Sequence, residues 1–180
     1  IVNCTLYITH ATKRFVSKTG SSTPPYTSWE TAADSIQKAI NICVDGDTIF
    51  VANGVYAESL IVNNTIWLIG SSMDSTIIDG TDLSARTIGV LQHGLGGSIE
   101  NFTILGKGFI QGAVILTERN ILIRNCRIKN DQYGISIINE GTCVDNIIVS
   151  NVNQGIRGGC LYDTCNNYVL NSVIITRRLV

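Results

Sequence analysis

The segments Ile99-Glu-Asn-Phe-Thr-Ile104, Ile123-Arg-Asn-Cys-Arg-Ile128, Val144-Asp-Asn-Ile-Ile-Val149 and Val169-Leu-Asn-Ser-Val-Ile174 align without a gap. Each reads apolar-x-Asn-x-x-apolar, and Asn101, Asn125, Asn146 and Asn171 follow one another at 24, 21 and 25 residues. A further short apolar segment follows each of the first three: Ala113-Val-Ile-Leu116, Gly134-Ile-Ser-Ile-Ile138 and Gly155-Ile-Arg-Gly158. Strand-length segments repeating at this period are the signature of a solenoid. Stacked copies place equivalent strands one β-spacing apart, about 4.8 Å. Alternation sends one set of side chains inward, where like stacks on like. Asn tolerates the left-handed backbone of a tight bend. Its amide both donates and accepts, so stacked asparagines satisfy one another as a ladder. The 3.6 periodicity of a helical solenoid is missing. The expected fold is all-β, a right-handed parallel β-helix of three-strand coils, about five in number by this strand count.

Outward from the ladder, Leu60-Ile-Val62, Ile66-Trp-Leu-Ile-Gly70 and Thr76-Ile-Ile-Asp-Gly80 form a weaker coil, in which Gly70 stands where later coils place Asn. Thr87-Ile-Gly-Val-Leu91 opens the next coil. Residues 27–46 are expected to form a capping α-helix. Thr27-Ser-Trp-Glu30 has the form of a capping box. Trp29, Ala32, Ala33, Ile36, Ala39, Ile40 and Cys43 recur at helical spacing up to a stop at Gly46. A helix laid across an open β-helix end shields unpaired strand edges. The chain thus divides into an N-terminal segment, 1–26, the capping helix, 27–46, and the ladder-bearing β-helix, 47–180. Val173-Ile-Ile-Thr-Arg-Arg-Leu-Val180 stops in strand character, so this end is expected either to continue beyond Val180 or to be covered by another chain.

The chain has 180 residues, 44% hydrophobic and only 15% charged, with a formal net charge of −1. That length suits one domain with a real core. The charge makes neither nucleic acid nor an anionic membrane an expected partner. No apolar run approaches the roughly 20 residues of a membrane helix. The chain opens at Ile1 without a signal-like segment and is read as cut from a longer precursor. Six cysteines among sequons at Asn3, Asn63 and Asn101 point to a secreted or cell-surface protein. Cys143 and Cys165 follow matching threonines at a 22-residue step, one coil apart, and are a disulfide candidate. Cys4 and Cys43 form a second candidate pair, tying the N-terminal segment to the helix. Cys126 and Cys160 are read as core residues. Asn101 belongs to the ladder, which leaves Asn63, on a turn, and Asn3 as glycosylation candidates.

Phe15-Val-Ser-Lys-Thr-Gly-Ser21, Ser28-Trp-Glu-Thr-Ala-Ala-Asp-Ser-Ile-Gln-Lys-Ala-Ile40, Gly46-Asp-Thr-Ile-Phe-Val-Ala-Asn-Gly-Val-Tyr56, Ile66-Trp-Leu-Ile-Gly70 and Thr76-Ile-Ile-Asp-Gly80 resemble the opening of secreted proteins of the pectin-lyase-like superfamily. The resemblance spans roughly residues 13–176 once the ladder coils are included. It implies an N-terminal cap and first coils of a right-handed parallel β-helix. It leaves activity open, because lyases, hydrolases, esterases, tailspikes and adhesins share this scaffold.

In that superfamily, active sites lie on the outside of the first sheet. Alternation assigns Ile61, Gly89, Leu91, Val114, Leu116, Ser136, Ile138 and Arg157 to that face, and the row is mostly apolar. Glycoside hydrolysis needs paired carboxylates, and a calcium-dependent lyase needs clustered acids; neither set assembles. Arg127-Ile-Lys129 occurs without the partner motifs of polygalacturonase-like enzymes. Glu118, Asp131 and Glu140, on turns, and Arg157, on the sheet, are the candidate substrate-binding residues. His10 and His93 share no motif, no metal-spaced Cys/His set occurs, and no cofactor is expected. The expected function is an extracellular structural, adhesive or assembly module. Its expected partners are itself, through the open edge or the apolar face, further domains of a longer chain, or a polysaccharide. The alternative is a polysaccharide lyase or glycoside hydrolase, a carbohydrate-binding β-helix with Trp67 as platform, or a fragment of one.

Overall fold

The computed structural model describes residues 11–81, 87–90, 96–106, 113–117, 121–129, 133–137, 142–152, 154–158 and 168–176. The chain enters through strand β1 (Lys13–Val16) and a short helix α1 (Ile36–Ile40). Then follow β2 (Thr48–Val51), β3 (Gly54–Tyr56), β4 (Leu60–Val62), β5 (Trp67–Gly70), β6 (Thr76–Asp79) and β7 (Ile88–Val90). Next come β8 (Ser98–Glu100), β9 (Thr103–Leu105), β10 (Ala113–Thr117), β11 (Leu122–Arg124), β12 (Arg127–Lys129) and β13 (Tyr133–Ile137). The last are β14 (Cys143–Asp145), β15 (Ile148–Val152), β16 (Gln154–Gly158), β17 (Tyr168–Leu170) and β18 (Val173–Thr176).

From β2 onward the strands are dealt in rotation to three parallel sheets. One holds seven strands, β1-β2-β5-β8-β11-β14-β17; the second holds six, β3-β6-β9-β12-β15-β18; the third holds five, β4-β7-β10-β13-β16. Each strand from β2 to β15 therefore pairs with the strand three places later. Among the described residues the architecture is parallel, strand-dominated and nearly free of helix, as the repeat predicts, and is compatible with a parallel β-helix.

The interior follows from the register. In the seven-stranded sheet Ile49, Leu68, Ile99, Ile123 and Val144 stand side by side and are buried. In the six-stranded sheet Tyr56, Ile78, Ile104, Ile128 and Val149 do the same, and Ile174, at the last described rung, is 43% exposed. Leu60, Ile88 and Ile135 line the third sheet. Full burial of one such side chain contributes about 1.5–3 kcal/mol.

Asn101, Asn125, Asn146 and Asn171 all have positive φ, between 44° and 65°. They turn the chain from the seven-stranded into the six-stranded sheet in a single bend. Asn125 Nδ2 donates to Asn101 Oδ1 (3.2 Å) and Asn146 Nδ2 to Asn125 Oδ1 (2.7 Å). The ladder starts on Gly70, where Asn101 Nδ2 donates to the carbonyl oxygen (3.2 Å). A Cβ on Gly70 would lie 2.4 Å from the Asn101 carbonyl oxygen, so the rung below the first Asn has room for glycine alone. The last rung departs from the pattern: Asn171 Nδ2 donates to the Asp145 carboxylate (3.2 Å). Phe102, Cys126 and Ile147, each directly after a ladder Asn, form the buried corner, so Cys126 is a core residue as expected.

The helix is far shorter than residues 27–46, and its cap is not Thr27. Ala33 spends its backbone on β1: its N–H donates to Phe15 O (2.9 Å), and its carbonyl accepts from Ser17 N–H (2.8 Å). That bridge excludes helical bonding across residues 27–34. The N-cap is Ser35. The carboxylate that answers it is Glu58, from 23 residues downstream, which accepts from Ser35 Oγ and from the N–H groups of Ile36 and Gln37 (2.8–2.9 Å). Ala32, Ala33, Ile36, Ala39, Ile40 and Cys43 are buried as the spacing suggests, but Trp29 is 45% exposed. Upstream of the helix, β1 pairs along its whole length with β2.

β1 ends the seven-stranded sheet with a charge in the inward position. Arg14, in register with Ile49, pairs with the fully buried Asp47 (2.9 Å) and donates to Pro25 O (2.9 Å). Burial by itself would raise the Asp47 pKa. The N–H groups of Thr12 and Val44 and the Arg14 guanidinium outweigh it and hold the carboxyl below its usual range. A carboxylate depressed in the folded state contributes stability above its unfolded pKa and loses it as pH falls through the folded value. Asp47→Ala is expected to cost about 3–5 kcal/mol by stranding Arg14. The acid limb of a stability-pH curve, at and below about pH 4, should flatten in that variant; urea unfolding at several pH values measures both. Asn125→Ala is expected to cost about 2–4 kcal/mol, through one left-handed residue and two orphaned ladder amides. Asn125→Gly, which removes the strain, should cost less in the same measurement.

Candidate functional site

The row that begins at Ile61 can be followed in register across the five-stranded sheet. Ile61, Gly89, Leu116, Ser136 and Arg157 are neighbours in register across β4, β7, β10, β13 and β16. Ile61, at one edge, is 49% exposed. Arg157 stands at the opposite edge of the described sheet. The other candidate substrate-binding residues, Glu118, Asp131 and Glu140, lie outside the described residues, as do Leu91, Ile138, His10 and His93. Arg127, on the outer face of β12, is committed to an ion pair with Asp74 (2.6 Å).

The seven-stranded sheet carries the more distinctive surface. On its outer face Phe15, Phe50, Ile69, Glu100, Arg124 and Asp145 form one line across β1, β2, β5, β8, β11 and β14. Phe15 and Phe50 stack with ring centroids 5.8 Å apart, and Trp29 leans on Phe15 at 4.6 Å. Trp67, on the neighbouring outward line, is 39% exposed, which agrees with its expected outward position. Trp29 thus serves an outer aromatic cluster rather than a buried helix face. The line is aromatic at β1 and β2 and charged at β8, β11 and β14, with Arg124 bridging to Asp145 at 3.2 Å. Strand alternation put Trp67 outside, but nothing local linked Trp29 to Phe15, because the contact depends on the 28–34 segment folding back along β1. Ser98, in register with Trp67, is buried with its hydroxyl unpartnered.

Beside α1 lies a cleft of about 360 Å³ lined by Gln37, Ile40, Asn41, Ile61, Asn63 and Asn64. Its lining carries no ionisable group. Gln37 fastens α1 to the edge of β4, accepting from Ile61 N–H (2.9 Å) and donating to Ile61 O (3.2 Å). Among the described residues, no three His, Cys, Asp or Glu side chains gather to hold a metal ion. No helix among them is long and apolar enough to cross a membrane.

Cys43, Cys126 and Cys143 are free thiols. Neither candidate disulfide is present at its described end; Cys4 and Cys165, the partners named for them, lie outside the described residues. Cys43 Sγ instead donates to Ala39 O (3.2 Å) within the helical turn. Burial pushes the Cys43 thiol up to about 11 and the Cys126 thiol up to about 12. The chain matches no protein-family model and none of the curated proteins with which it was compared.

Only the thiolate is nucleophilic, so alkylation of the native protein at pH 8 should label half-buried Cys143 well ahead of Cys43 and Cys126. Peptide mass mapping reads the order. Equal labelling of all three would contradict the burial described.

Proposed function

We propose that this chain is an extracellular structural or assembly module, built as a right-handed parallel β-helix of the pectin-lyase-like type with its N-terminal region as cap. The observation that carries the reading is the outer aromatic cluster of Trp29, Phe15 and Phe50, with exposed Trp67 on the neighbouring line of the same sheet. Contiguous apolar surface on a soluble fold marks a contact surface, and aromatic side chains are enriched in such contacts. Parallel sheets present this face without moving parts, which suits a scaffold. The superfamily resemblance and the sequons favour an extracellular setting.

A second reading draws on the same cluster: exposed Trp67 and the Phe15–Phe50 pair as a stacking platform for a polysaccharide. Trp67→Ala separates the readings. For the assembly module, sedimentation of the full chain over a dilution series should show mass rising with concentration, and Trp67→Ala should move that rise to higher concentration. A monomer at every concentration would sink the assembly reading. A saturable change in tryptophan emission with a neutral or acidic polysaccharide, abolished in Trp67→Ala and unaccompanied by new reducing ends, would establish binding instead.

A further inference from the structure

Two complete sequons lie among the described residues, and their surroundings are opposite. Asn101-Phe-Thr103 is consumed by the fold. Asn101 Nδ2 donates to Gly70 O, its Oδ1 accepts from Asn125, Phe102 is fully buried, and Thr103 Oγ1 donates to Met73 O (2.7 Å). A sugar on Asn101 Nδ2 would displace the first bond of the ladder. Asn63-Asn-Thr65 occupies the turn after β4, with Asn63 exposed. Thr65 holds that turn through its backbone alone, its N–H donating to Asp45 (2.7 Å) and its carbonyl accepting from Gly46 N–H (2.8 Å).

Asn63 also lines the uncharged cleft beside α1. Within it, Ile61 offers an exposed apolar patch, Gln37 is held to Ile61 and donates to Asn41 Oδ1 (2.7 Å), and that bond turns the Asn41 amide nitrogen to the cleft as a donor. An N-acetylhexosamine has the matching chemistry: an apolar ring face and acetyl methyl, with hydroxyl and amide groups at the rim.

We propose that Asn63 is an N-glycosylation site and that the first N-acetylglucosamine of its glycan seats in this cleft, over Ile61. In the transfer, Asn63 Nδ2 forms the bond to the sugar's anomeric carbon. The bond from that carbon to the pyrophosphate of a lipid-linked oligosaccharide donor breaks, the lipid pyrophosphate leaves, and one amide proton passes to solvent. Transfer precedes folding, so a chain modified at Asn101 cannot close its ladder, whereas one modified at Asn63 folds unhindered. The seated sugar would cover Ile61, which the fold otherwise leaves bare at the edge of the five-stranded sheet.

The proposal rests on the extracellular reading for its natural occurrence. Expression of the full chain through the secretory pathway of cultured eukaryotic cells supplies that compartment directly, so the outcome is independent of whether the assembly reading holds. Peptide mapping of the secreted, folded protein, before and after an amidase that removes N-glycans, should find a glycan at Asn63 and none at Asn101. Asn63→Gln and Thr65→Ala should each lose that glycan while remaining folded. With the glycan trimmed to one N-acetylglucosamine, amide exchange in residues 61–64 should be slower than in the Thr65→Ala protein, or in Asn63→Gln if that variant is the better folded. An unmodified Asn63 in the secreted protein, or a glycan on Asn101, would overturn the site. Exchange unchanged by the sugar would overturn its seating.

Discussion

Parallel strands have no hairpin to set their register, so something else must hold each strand level with its neighbour. Here that constraint is the stacking of like on like at one β-spacing, pinned at one corner by asparagine. A one-residue slip would turn an inward column such as Ile49-Leu68-Ile99-Ile123-Val144 out to solvent. It would also place a residue other than Asn at a bend with φ near +50°, where most side chains are strained. The two penalties coincide, so one register satisfies the core and the corner together. Gly70 belongs to the same logic: it keeps its place in the column while yielding the space that the Asn101 backbone occupies.

The N-terminal end meets a different demand, since the core must stop there without leaving strand edges and polar groups stranded. Arg14 takes an inward position on β1, and Asp47 is buried where the chain turns into β2. Each charge alone would be costly to bury; together, with Thr12, Val44 and Pro25 completing their hydrogen bonds, they form a polar plug. Glu58 plays the matching part for α1. A helix of five residues cannot stand alone, and it is held by a carboxylate on the chain leading into β4 and by Gln37 clamped to the edge of that strand.

Function on such a scaffold belongs to the outer faces, because the interior is filled. Those faces are unlike one another. The seven-stranded sheet runs from aromatic at β1, β2 and β5 to charged at β8, β11 and β14. Beside α1, the edge of the five-stranded sheet borders an uncharged, carboxamide-lined cleft. The first suits association and the second suits a neutral, hydroxylated group. Both are rigid, since each rests on strands whose opposite side chains are buried in the core.

The sequence by itself determined the parallel sheets, the inward columns, the left-handed asparagines and Gly70 as the rung beneath them. These are periodic features, and a period survives in the order of residues even when the contacts that use it are one circuit apart. It also placed Trp67 outside, by strand alternation. Only the tertiary structure decided the rest. Thr27-Ser-Trp-Glu30 has every local mark of a helix start, yet β1 offers Ala33 two backbone hydrogen bonds and the helix waits until Ser35. Glu58, Asp47 and Trp29 found partners roughly 14 to 35 residues away in the chain. None of these pairings recurs, so no period announces them; they exist because the fold brings two unique segments to the same end of the stack.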